Sequence, residues 1–136
     1  MSLGIFKKAF STVQIEALKS YFENLFAPNY MVYRALMTTS IGGVAPSVTV
    51  LENTIGDIVW TYSGSSGVYE GTLTGAFPAA KCFIQNASGG SIVVSTSGSG
   101  SSTYFVYRNS DNIVRVQTTG GNVALTNLPI EIVVYF

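Results

Sequence analysis

From Tyr30 to Phe136 the chain is punctuated so often that no long helix fits into it. Short runs rich in Val, Ile, Thr, Tyr and Phe alternate with clusters of Gly, Ser, Asn and Asp, the pattern of strands joined by turns. The runs fall at 31–40, 47–52, 57–63, 67–73, 80–86, 91–96, 102–108, 112–118 and 129–136. Between them lie Gly42-Gly43, Asn53 to Gly56, Gly64 to Gly67, Gly89-Gly90, Gly98 to Ser101, Asn109 to Asp111 and Gly120-Gly121. Asn109-Ser110-Asp111-Asn112, set between two alternating runs, reads as a hairpin connection. Nine short strands at this spacing predict a mainly β domain, an antiparallel β-sandwich of jelly-roll or Greek-key type. The Ser/Gly tract from Ser95 to Thr103 has the composition of a linker, but the runs on either side make it a hairpin loop inside the domain. There is no internal repeat.

The segment before Tyr30 follows a different period. Ser11-Thr12-Val13-Gln14 fits the S/T-x-x-E/Q capping box, and Pro28 disfavours a helical Ala27. Between these signals Ile15, Leu18, Phe22 and Leu25 take the a and d positions of two heptads, flanked by Tyr21 and Phe26. Glu16, Lys19, Glu23 and Asn24 take the other face. Two settings are open to such a stripe: docking on the chain's own β domain, or a seam between identical helices of neighbouring chains. Two heptads are marginal in isolation, so a seam needs the β domains to hold the chains together. Upstream, Ile5, Phe6 and Phe10 with Lys7 and Lys8 form a separate amphipathic fragment suited to docking on another protein. The sequence therefore divides into an anchoring or oligomerisation helix, 1–28, and a β-sandwich domain, 29–136. Ile5, Phe6, Phe10, Ile15, Leu18, Phe22, Leu25 and Phe26 are the candidate oligomer or anchoring interface.

Composition says where such an interface is needed. Only 10% of the residues are charged, against roughly 25% in an average soluble protein. Hydrophobic residues make up 47%, and the mean hydropathy is +0.37. A small monomer has a large surface for its volume and normally covers it with charge, so the apolar excess must go into a membrane or between subunits. No run of about 20 apolar residues exists to span a bilayer as a helix. Lys7 and Lys8 follow Leu3, Ile5 and Phe6, the reverse order of a signal peptide, and no small-residue cleavage site comes after them. The closing Ile132-Val133-Val134-Tyr135-Phe136 is similar to the aromatic ends of outer-membrane barrel strands, but the leading helix and the missing signal argue against a barrel. The expectation is burial between subunits, with no membrane insertion.

The chemistry on offer is sparse. Net charge is zero, and the seven basic residues, Lys7, Lys8, Lys19, Arg34, Lys81, Arg108 and Arg115, are dispersed. Phosphate backbones call for clustered cations, so nucleic acid is not an expected partner. The absence of histidine removes Ser-His-Asp and Cys-His nucleophiles and most zinc and non-haem iron sites. No GxSxG elbow, Walker A loop or strand-led GxGxxG turn occurs, and Gly64-Ser65-Ser66-Gly67 and Gly98-Ser99-Gly100 read as turns. The seven acids, Glu16, Glu23, Glu52, Asp57, Glu70, Asp111 and Glu131, include no pair near in sequence to mark an acid–base couple or a calcium cage. Cys82 excludes an intrachain disulfide framework and reads as a small core side chain, with Lys81 on the opposite strand face. Among the aromatics, Trp60 and Tyr62 share one face of a strand, and Phe105 and Tyr107 share the face opposite Tyr104. Buried, such rings fill a core; exposed, they stack on sugars. No catalytic residue, metal or cofactor is expected, and the chain reads as a non-enzyme.

Tyr33-Arg34-Ala35-Leu36-Met37-Thr38, the stretch from Ala45 through Trp60 to Tyr62, Gly67 to Leu73 and Phe77-Pro78-Ala79-Ala80-Lys81 together resemble a known group. The chain over 30–136 is similar to small β-domain proteins encoded by bacteriophages of Bacteroidetes hosts, often among virion structural genes. The resemblance lies in the order of strands and turns and carries no active-site residue. It implies a virion protein of head-fibre, spike, tail-fibre or capsid-decoration type, commonly a homotrimer attached to other capsid or tail proteins. A host-surface glycan is a further partner such a role implies. A carbohydrate-binding module or adhesin working alone is the alternative.

Overall fold

The computed structural model describes residues 11–85 and 103–136. Helix α1 (Thr12–Phe26) leads into β1 (Tyr30–Thr38), β2 (Ser47–Asn53), β3 (Val59–Tyr62), β4 (Val68–Thr72) and β5 (Cys82–Gln85). After these come β6 (Tyr104–Arg108), β7 (Ile113–Thr118) and β8 (Leu128–Tyr135). The run expected as a strand at 91–96 lies outside the described residues, as do Ile5, Phe6, Phe10 and all but the end of the Ser/Gly tract.

The strands form two four-stranded antiparallel sheets, ordered β2-β1-β8-β5 and β3-β4-β7-β6. The mainly β, sandwich-like architecture read from the sequence is the one observed. In the first sheet β1 and β8 pair from Tyr30↔Tyr135 to Met37↔Leu128, so the two longest strands form its centre. On the far side of β1, Arg34 faces Glu52 and Ala35 faces Val50, which leaves Leu51 as an extra residue in a bulge. In the second sheet β4 and β7 are central, flanked by the hairpin partners β3 and β6.

Alternation decides what faces the middle. Tyr33, Ala35 and Met37 of β1 and Leu128, Ile130, Ile132 and Val134 of β8 point inward from one sheet. Trp60, Tyr69, Tyr104, Val106, Val114 and Val116 meet them from the other, with Phe77 and Leu125 closing the ends. The aromatic payload of this core is high, and of its polar tips those of Trp60, Tyr33 and Tyr104 are hydrogen-bonded, whereas the Tyr69 hydroxyl is buried without a partner among the described residues. Trp60 Nε1 donates to the Tyr33 hydroxyl across the two sheets at 3.0 Å. Buried Thr39 donates to the Val123 carbonyl at 2.7 Å and accepts from the Leu125 amide at 3.1 Å, which pegs the 119–127 segment to the end of β1.

Two glycines are fixed by close approach. Gly67 has φ +75°, and a Cβ there meets Thr118 Oγ1 at 2.5 Å and the Gly121 carbonyl at 2.7 Å. Gly71 is extended, but it is the inward position beneath Trp60, whose ring sits 2.9 Å from where a Cβ would stand.

Two tests follow from the packing. Ile132 is fully buried between Tyr33 and Ile84 on its neighbouring strands, so Ile132→Ala lowers unfolding stability by about 2–5 kcal/mol in denaturant titrations followed by Trp60 fluorescence. Burial pushes the Tyr33, Tyr69 and Tyr104 phenols above their ordinary value of 10.0. Their neutral forms therefore contribute stability that is fully present below pH 10 and declines above it, as the unfolded chain ionises and the native one does not. Absorbance titration should show phenols that ionise only together with unfolding.

Candidate interaction surface

Helix α1 begins where its capping box predicts. The Ser11 hydroxyl accepts from the Gln14 amide at 3.3 Å, and Gln14 Oε1 accepts from the Ser11 amide at 2.9 Å. Extended Ala27 ends it before Pro28. On this helix Ile15, Leu18, Tyr21, Phe22, Leu25 and Phe26 fall on one face by the 3.6-residue period. No residue of the helix is buried: Leu18 is 39% exposed, Phe22 49%, Leu25 55% and Phe26 81%, with Ile15 half-buried. Gln14, Ala17, Leu18 and Tyr21 line a shallow open depression on its flank. Of the two settings open to the stripe, docking on the chain's own sandwich is not the one observed. The helix rests instead on its cap, the Lys19–Glu23 pair at 3.9 Å and an uncovered apolar face. At 15 residues that is marginal support in water.

The outer face of the β2-β1-β8-β5 sheet is a second apolar surface. Its cross-strand rows can be read from the register. Tyr30 lies opposite Tyr135, with ring centroids 6.0 Å apart. The next row is Phe83, Val133 and Val32, and both valines are buried although neither joins the inner core. The Val32 amide and carbonyl are held by Thr54, which continues the sheet past β2. A third row, Gln85, Glu131, Arg34 and Glu52, crosses the whole sheet, with the Arg34 guanidinium bonded to both carboxylates. Glu131 and then Glu52 hold Arg34 still more firmly protonated than an ordinary arginine. Beyond it, Leu36, Leu51 and Pro129 join this ladder around a depression of about 290 Å³.

The opposite outer face is more mixed. Glu70 accepts from Arg115 Nε at 2.7 Å in a row that continues to Thr61 and Tyr107. Val59, Ile113, Val68 and Phe105 are interrupted by Thr72 and Gln117. Arg108 ties Asp111 to the Phe77 carbonyl, so every arginine among the described residues is matched to a carboxylate.

Of the seven acids, Glu52 and Glu131 converge, and both are bound to the Arg34 guanidinium between them. Among the described residues no group of three or more His, Cys, Asp or Glu could hold a metal ion. Cys82 packs against the core, and burial pushes its thiol up, away from the reactive thiolate. Trp60 and Tyr104 are buried in the core, Tyr62 and Tyr107 are half-buried, and Phe105 is exposed, so two of the five candidates for sugar stacking, the one tryptophan included, are spent inside. No described helix is long and apolar enough to cross a membrane. The outer-face patch was missed in the sequence, although a signal for it exists. Met31-Val32-Tyr33 and Ile132-Val133-Val134 break the polar–apolar alternation of a strand with one wet face. No family model, curated protein or solved structure matches the chain.

The cap gives a local test. Ser11→Ala removes the acceptor for the Gln14 amide and should destabilise α1 by about 1 kcal/mol, seen as lost ellipticity at the helical band. Trp60 fluorescence should stay unchanged, because no helix residue is buried.

Proposed function

We propose that this chain is a non-enzymatic structural protein of a bacteriophage virion, a head-fibre, spike or tail-fibre component. In this reading the N-terminal segment attaches to the particle, while the β-sandwich associates with copies of itself, as a trimer, and projects. The observation that carries the structural role is the uncovered face of α1, six apolar side chains on a helix with no buried residue. A lone 15-residue helix of this kind gains its stability from a partner. The few charges of the sandwich, four basic against five acidic residues over 29–136 and mostly in internal pairs, support the same reading, since copies of so weakly charged a surface repel one another little. The virion setting rests on the resemblance of 30–136 to phage β-domain proteins.

A carbohydrate-binding or adhesin role is the second reading. One observation favours it, the exposed Tyr30–Tyr135 ring pair at the end of the central strands.

Sedimentation of the full chain tests the assembly. A species of three chains is expected, against 14.5 kDa for one. Phe22→Glu with Leu25→Glu should weaken association by about a hundredfold or more, given roughly 1.5–3 kcal/mol for burying each side chain. The protein should also co-fractionate with purified phage particles. A wild-type monomer at micromolar concentration that binds glycans on an array would replace this reading with the second.

A further inference from the structure

We draw no further inference here: the strongest candidate, the depression on the outer face of the β2-β1-β8-β5 sheet between the Arg34–Glu131 pair and Leu36, Leu51 and Pro129, carries nothing because its charged groups are already spent on one another and nothing in the structure shows what covers it.

Discussion

The pairing of β1 with β8 is the constraint on which everything else in this molecule hangs. It is the longest ladder in the fold, and its two strands supply seven of the inward side chains of the core. Its outward side chains build the apolar rows and the Arg34–Glu131 contact. Because β1 is central, the helix that precedes it is rooted at the middle of a sheet end and not at an edge. The helix root and the aromatic pair Tyr30–Tyr135 are thereby placed at one end of the sheet by covalent connection alone.

Much of this was legible in the residues, and the reason is period. Each described strand falls within or close to a run of β-branched and aromatic residues. The shorter observed strands, Val59–Tyr62 within 57–63 and Cys82–Gln85 within 80–86, lose their ends to the turn residues around them. The helix was readable to the residue at its start, because a capping box is a local hydrogen-bond pattern. Strand order was not readable, since it depends on partners far apart in sequence, such as Arg34 and Glu131, 97 residues apart. The outer-face patch left only the broken alternation around Val32 and Val133 as a trace, and it takes the register to set the two valines side by side on the face away from the core.

Charge is handled with the same economy. The described arginines each neutralise carboxylates within the same sheet or hairpin, across strand rows or within a turn. Exposed pairs of this kind add little stability. Their effect is to leave a sandwich of small net charge, four basic against five acidic residues over 29–136. Long-range steering, which raises association rates for proteins with charged faces, has little to act on here.

The separation between β1 and its partner also sets an order of events in time. A helix of this length relaxes in about a microsecond or less, whereas sandwiches built on distant pairings fold in roughly milliseconds to seconds. On the ribosome, α1 and β1 emerge before β8, which carries Glu131, so β1 must wait for its partner to be synthesised. Throughout that interval a nascent chain presents an apolar segment, marginally helical on its own, beside an unsatisfied central strand, a combination prone to engage a neighbour wrongly. The topology makes the rate of closing β1 onto β8 the quantity that separates folding from aggregation.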